Sequence, residues 1–427
     1  MVAPEIADIA LEGPPKLTRS FRRLWWAAGI SASGDGLVVV AIPLLAVSIT
    51  RSPLLIAGVT AANRASAALA ALPGGVLADR VNRRWLMVAC NVIAGLMLAG
   101  LVAAMSFSRA DLPMLYAVSV VLAASDVIYE LAAQAYVPTL VDDRVLPKAN
   151  SRLQVMTGSG EQFAGPAVGG VLFSVARRVP FVADAISFFA SALLVGTTRS
   201  PLSGTTWLPS GTAKDAPGRR APRETSWAED FRQGFRWFKR ERSVQLVAAV
   251  VSSVVFAQFM VLGIMVVYGT RTLHLSSTGY GLYFASASLL GVLTGFWAHQ
   301  VTHRLGAGKA IVWGFGLLVA SYVGLGFTKS VVLAVFAFGL QDVGTVIANV
   351  GAITARQRLI PTHLYGRVVS IHRLAVAGSM PLGALLGGVI AGVAGTSVAF
   401  VMAGGLVLAF LAILGPALQN SLSTLRP

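Results

Sequence analysis

Residues Gly75 to Arg84 read GVLADRVNRR and lie between two long apolar runs, so that one acid and three arginines are packed into ten residues. That is the layout of a short loop pressed against a membrane face. The apolar runs on either side decide whether the reading holds. From Leu24 to Ile49 the one charge is Asp35, and Trp85–Ser108, Val244–Thr270 and Ala310–Thr328 contain no Asp, Glu, Lys or Arg. Each is long enough for a helix across about 30 Å of hydrocarbon at about 1.5 Å per residue.

The whole chain agrees with these runs. Its 427 residues are 55% hydrophobic and 12% charged, outside the mix of a soluble domain and within that of an integral membrane protein. Leu374–Leu425 is free of those four charged residue types over a length that must fold back once, and Gly392–Ser397 is the expected turn. Twelve spans are expected, near 24–48, 54–77, 85–107, 114–137, 153–175, 180–198, 244–267, 279–300, 309–328, 331–355, 368–393 and 396–416. With both termini cytoplasmic, 27 of the 34 Lys+Arg fall on the inner side and six on the outer, with Arg64 inside a span. The positive-inside rule requires that asymmetry. The net charge of +16 is therefore spread along the inner rim and calls for no nucleic acid. Arg22 and Arg23 lead into an apolar stretch too long for the core of a cleaved signal, so it is expected to stay attached as helix 1. Cys90, the single cysteine, is read as ordinary packing in helix 3.

The loop itself resembles the signature loop of the major facilitator superfamily, roughly G-x-L-A-D-R-x-G-R-R, with Asn82 where that family usually has its second glycine. Both residues tolerate positive φ, so the turn is expected to survive. The resemblance implies an all-α polytopic membrane protein of two pseudo-symmetric six-helix bundles. The organisation expected is a disordered cytoplasmic lead over 1–20, an N-terminal bundle over 21–198, a linker over 199–243, a C-terminal bundle over 244–416 and a cytoplasmic tail over 417–427. Within the linker, Trp227, Phe231, Phe235 and Phe238 recur at helical spacing with Arg232, Arg236, Lys239 and Arg240 between them. That is an amphipathic helix, expected along the inner membrane surface, with a partner-binding helix as the alternative.

The halves echo each other. QAYVPT at Gln134–Thr139 returns as QRLIPT at Gln357–Thr362, and Gly169–Gly170 return at Gly387–Gly388. The loop has a worn copy in Gly295, Ala298, Val301 and Arg304, in which His299 replaces Asp79. A single duplication points to a transporter with its site between the halves near the bilayer centre.

Ionisable side chains inside spans are costly, about 2.5 to 3.5 kcal/mol each by insertion scales, and each calls for a reason. There are seven: Asp35, Arg64, Asp126, Glu130, Glu161, Asp184 and Asp342. Counting from the span ends puts Asp35, Arg64, Asp126 and Asp342 near the midplane. Asp126, Glu130 and Gln134 form one stripe at i, i+4 and i+8; Asp342, Thr345 and Asn349 form another; Gln154 and Glu161 share a face. Stripes of this kind must face a wet cavity or each other, because lipid cannot satisfy them. Carboxylates gathered against one arginine are expected to include at least one that holds a proton and releases it when wetted or approached by a cation. A plainer reading makes Asp35 and Arg64 a static buried pair. Asp184, near the outer end of helix 6 and beside Arg177 and Arg178, is read as structural.

The segment GPAVGG, with Gly165, Pro166, Gly169 and Gly170, and its counterpart MPLGALLGG, with Pro381, Gly387 and Gly388, would let helices pack closely while bending. GPAVGG resembles the core of the superfamily's antiporter motif, although the motif's upstream glycine falls at Glu161. SASGDGLVVVAIPLL, VADAISFFASAL, EDFRQGFRWFKRER, LSSTGYGL and PTHLYGRVVS resemble one branch, that of enterobactin exporters, macrolide efflux pumps and mycobacterial multidrug pumps. That resemblance implies a proton-driven exporter of a small lipophilic or amphiphilic drug, siderophore or metabolite, acting as a monomer in the cell membrane among its lipids with no cofactor beyond the proton gradient. It would make Asp35 the proton-coupling acid, and would make Gly75, Asp79, Arg80, Arg83 and Arg84 a gating loop in which Asp79 braces helix ends in one state. A lipid or lysophospholipid flippase and a transport-dead sensor or scaffold are the alternatives. No metal-spaced His/Cys set or nucleophile elbow suggests an enzyme or a metal site.

Overall fold

A computed structural model describes residues 17–199, 227–361 and 364–423. Most of the expected lead, the first part of the linker and the end of the tail lie outside the described residues. The described residues are helical: α1 (Arg19–Ile49), α2 (Pro53–Arg80), α3 (Arg83–Ser106), α4 (Leu112–Tyr136), α5 (Leu146–Ser159), α6 (Gly165–Val175), α7 (Val179–Gly196), α8 (Trp227–Arg240), α9 (Arg242–Leu262), α10 (Met265–Arg271), α11 (Ser277–Gly295), α12 (Ala298–Leu305), α13 (Ala307–Phe327), α14 (Val331–Leu359), α15 (Tyr365–Ala394) and α16 (Thr396–Ser423).

Short polar residues start these helices. The Thr18 side chain accepts from Phe21 N, Ser52 from Leu55 N ahead of Pro53, Asp111 from Met114 N ahead of Pro113, and Ser276 from Gly279 N. Each satisfies an amide that the helix leaves open. The turn expected between Gly392 and Ser397 is at Gly395, whose φ of +90° suits a residue without a Cβ. α1 begins at Arg19, five residues before the expected span, because Thr18 caps it and its hydroxyl also donates to Leu140 O.

Among the described residues ten helices are long and apolar enough to cross a membrane, and eleven if the bent pair α11–α12 is one span. Twelve spans were expected, and the difference lies in the fifth. There α5 passes into α6 through a π-turn, Gly160–Ala164, so no single piece is long enough. Pro166 has no N–H to bond back four residues, and the wider turn ahead of it absorbs the break. The pair α11–α12 bends by 56° at Phe296–Trp297, whereas its counterpart α2 runs unbroken through Pro73. Large apolar side chains lie exposed on the outside of the bundle, among them Phe327 at 78% and Val393 at 87%, the surface a lipid-facing protein requires.

The linker segment Trp227–Arg240 is the helix α8, and two of its apolar residues pack against protein. Trp237 and Phe238 pack with Val244, Ile360, Leu364 and Val368, and Gly234 backs onto Arg367 of α15. Phe235 stays 39% exposed with the Lys239 ammonium 4.9 Å from its ring.

Candidate functional site

The expected gating loop is shorter than its sequence suggests. Gly75, Asp79 and Arg80 belong to α2, leaving Val81 and Asn82 as the connection. Asn82 does not adopt positive φ. At φ −60° and ψ 110° it caps α3, its side chain accepting from Arg84 N and Trp85 N, which is why an amide can replace glycine here. Arg83 donates to Ala78 O at 3.3 Å and to Ala135 O at 2.8 Å, and Arg84 donates to Gly196 O. Two guanidiniums thus gather the carbonyl ends of α2, α4 and α7, where the helix dipoles are negative. Asp79 and Arg80 are exposed, and Asp79 has no hydrogen bond or ion pair among the described residues.

The glycine motifs do the work of joining helices. A Cβ on Gly169 would lie 2.6 Å from Leu37 O on α1, and one on Gly170 would lie 2.6 Å from Ser277 O and 2.8 Å from the Gly281 Cα on α11. In the second half Gly387 meets Met260 on α9, and a Cβ on Gly388 would lie 2.8 Å from the Ala57 Cβ and 2.9 Å from the Leu54 Cα on α2. Each double glycine therefore has one residue against its own half and one against the other half. These contacts sit at the end of the bundle away from Arg19, together with Arg271 Nη1 donating to Arg51 O at 2.9 Å and Thr278 Oγ1 donating to Ser174 Oγ at 3.0 Å. The α2–α15 and α6–α11 contacts are the main ones between the halves.

Asp35 stands between two such contacts. Gly34 is pressed against Asp184 and Ser187 of α7, while a Cβ on Gly36 would lie 2.6 Å from Gly160 O and 2.8 Å from the Gly165 Cα. The sequence Gly-Asp-Gly thus brings the α1 backbone to the Asp184 and Ser187 side chains of α7 on one side and to the backbone of the π-turn on the other, holding Asp35 within electrostatic reach of Asp126, Asp184 and Glu161. Asp126 in turn faces Glu161, Arg64 and Glu130. Gln134 Nε2 donates to Glu130 Oε1 at 3.0 Å, one turn nearer the helix end. Arg64 faces Glu161 and Asp126, and its guanidinium lies 5.4 Å from the Phe259 ring centre on α9. The static pair of Asp35 with Arg64 is not present; the two acids nearest the arginine come from α4 and the π-turn. Arg64 Nε is buried without a hydrogen-bond partner.

Asp342 does not join this group. The register that pairs Gln134 with Gln357 pairs Asp126 with Asn349 and Ser119 with Asp342, so Asp342 lies two helical turns, about 10 Å, from the level of Asp126's counterpart. It packs against Gly291 of α11 and faces Tyr283 and Tyr322. Around it Tyr283 stacks on Phe338 with ring centres 5.5 Å apart, and the Tyr322 hydroxyl, Gln341 Oε1 and Thr345 Oγ1 are buried without hydrogen-bond partners. Asn349 is exposed farther along α14.

The sequence reading sets Asp184 beside Arg177 and Arg178 as a structural acid near the end of its helix. It is fully buried against α1 and not associated with Arg177 and Arg178, of which Arg178 donates to Ser106 Oγ at 3.1 Å. A lone acid inside VADAISFFASAL was the available signal, and its nearness to the charged loop in sequence obscured it. Among the described residues no group of three or more His, Cys, Asp or Glu is arranged to hold a metal ion.

Residues 24–381 match the family model of the Major Facilitator Superfamily. No curated protein matches the chain. Among solved structures, a bacterial homologue of the human lysosomal transporter Spinster, in an inward-facing and unoccupied conformation, shares the fold at a TM-score of 0.71 and 15% identity, over 97% of this chain and 99% of that one. The nucleoside transporter NupG gives 0.68 and 12%, over 93% and 99%. A bacterial homologue of the iron transporter ferroportin, in an inward-facing state, gives 0.66 and 18%, over 95% and 99%.

Proposed function

Because this chain belongs to the major facilitator superfamily and is a membrane transporter rather than an enzyme, we propose that it is a proton-coupled exporter of a small lipophilic or amphiphilic compound, working by alternating access. In this reading Leu146–Val175 is the fifth of twelve crossings, the end bearing Arg19 is cytoplasmic, and the chain acts as a monomer in the cell membrane.

One observation carries it: Asp35, Asp126 and Glu161, from α1, α4 and the π-turn, lie within reach of one another, and the single cation Arg64 faces Asp126 and Glu161 at the seam between the halves. Like charges so arranged repel when all are ionised, and a proton or a cationic substrate relieves the same repulsion. Competition between the two for one site is what antiport requires. Three carboxylates against one guanidinium favour a cationic or zwitterionic cargo. The glycine contacts that join the halves at the far end, and Asp79 left without a partner at the other, fit a state open to the cytoplasm, with Asp79 free to brace the helix ends in the opposite state.

The test is transport of a panel of lipophilic cations by proteoliposomes under an imposed pH gradient. Asp35→Asn and Asp126→Asn are each expected to abolish gradient-driven transport while leaving the protein folded. Undiminished transport in both variants would rule out the coupling role. Transport of labelled lysophospholipid with no need for a gradient would favour a flippase instead.

A further inference from the structure

Asp184 is 0% exposed and has no cation beside it, a costly arrangement for an ionised carboxylate. Its surroundings are specific. Ser187 Oγ lies 2.9 Å from Asp184 O and 2.9 Å from Asp184 Oδ1. A hydroxyl has one hydrogen to donate, and the backbone carbonyl can only accept. If the serine hydrogen goes to the carbonyl, the second contact needs a hydrogen supplied by Asp184. The other carboxyl oxygen, Oδ2, is buried without a partner, which suits a carbonyl oxygen of the neutral acid better than half of a charged group.

We propose that Asp184 is a proton-binding site in its own right, enclosed between α1 and α7 and within electrostatic reach of Asp35 beside the Gly34 contact. Gly34 places the site against α1. Its missing side chain lets Asp184 and Ser187 reach the backbone of α1 one residue before Asp35, and the two acids are within electrostatic reach of each other. The groups facing Asp184 are Asp35 on α1 and Asp126 on α4; α3 and α6, also packed against α7, bring no charged group into that reach. The Tyr129 hydroxyl, buried without a hydrogen-bond partner and facing Asp35, adds a further polar atom on the same side. The site rests on the proton-coupled reading for its use in transport, but not for its existence.

The experiment is infrared difference spectroscopy of the purified full chain in lipid nanodiscs at neutral pH, following the absorption of protonated carboxyl groups. Asp184→Asn, which keeps the shape, is expected to remove one component that Asp35→Asn leaves in place. Ser187→Ala is expected to keep that component and move its frequency, and this second variant decides the matter if Asp184→Asn fails to fold. A spectrum unchanged by Asp184→Asn, or one whose carboxyl absorption Ser187→Ala leaves unmoved, overturns the proposal. The component present in a protein with no gradient-driven transport would sink the coupling reading and keep this site; gradient-driven transport with the component missing would do the reverse.

Discussion

The Arg64 guanidinium lies 5.4 Å from the centre of the Phe259 ring, so the cation of the first half is held against an aromatic of the second. A buried stack of this kind contributes about 0.5–2 kcal/mol, and it exists while α2 and α9 stay together. A separation of the halves would therefore take the ring away from Arg64 and leave Asp126 and Glu161 facing it.

Phe259→Leu keeps the apolar volume and removes the ring face. It is expected to move the equilibrium away from the present conformation by about two- to tenfold, the factor that 0.5–1.4 kcal/mol corresponds to. Spin labels at Arg51→Cys and Arg271→Cys, whose parent residues are hydrogen bonded across the halves, report the distance that changes. A distance distribution identical to that of the unaltered ring would make the stack incidental.

Glycines of the same helices divide into two classes by what surrounds them. Gly170→Val places atoms into Ser277 O and the backbone of Gly281, so closure at that end is expected to fail, with transport lost and the same label pair driven apart. Gly75 lies within α2 with nothing within 4 Å of an added Cβ. Gly75→Ala is expected to stabilise the protein by about 0.5–1 kcal/mol through helix propensity, read from thermal unfolding in detergent.

The carboxylates should separate energetically as they do in space. Asp126→Asn combined with Glu161→Gln is expected to depart from additivity in transport rate by about 0.5–3 kcal/mol, whereas Asp126→Asn combined with Asp342→Asn should add within about 0.5 kcal/mol. Strong coupling in the second cycle would mean that Asp342 joins the first-half acids in another state of the transporter.

Asp79 has no partner in this conformation, so Asp79→Asn is expected to leave its thermal stability unchanged within about 0.5 kcal/mol. If Asp79 braces the opposite state, transport falls nonetheless, and cysteine accessibility at the end bearing Asp79 rises under conditions that favour that state. A large loss of thermal stability with unchanged transport would contradict this.

Much of this molecule was legible in the sequence because membrane physics is local. A run of some twenty residues without charge must be a spanning helix, whatever its neighbours are. The Gly392–Ser397 turn, the two echoing halves and the polar stripe of Asp126, Glu130 and Gln134 follow from spacing along one helix, as does the amphipathic α8. The expected fifth span shows the limit, since a stretch interrupted by Gly160, Gly165 and Pro166 looks like one helix in hydropathy and like three pieces in hydrogen bonding.

What tertiary structure alone decided is which helices meet. Counting residues from span ends put Asp35, Arg64, Asp126 and Asp342 at one depth, but depth on four helices says nothing about the direction each faces. Packing through Gly34 and Gly36 brought Asp35 to Asp184 and Glu161, gave Arg64 to Asp126, Glu161 and Phe259, and left Asp342 among the tyrosines of the other half. Sequence spacing governs contacts within a helix. Contacts between helices depend on where a side chain is missing, and the glycines that permit them carry no mark of which partner will arrive.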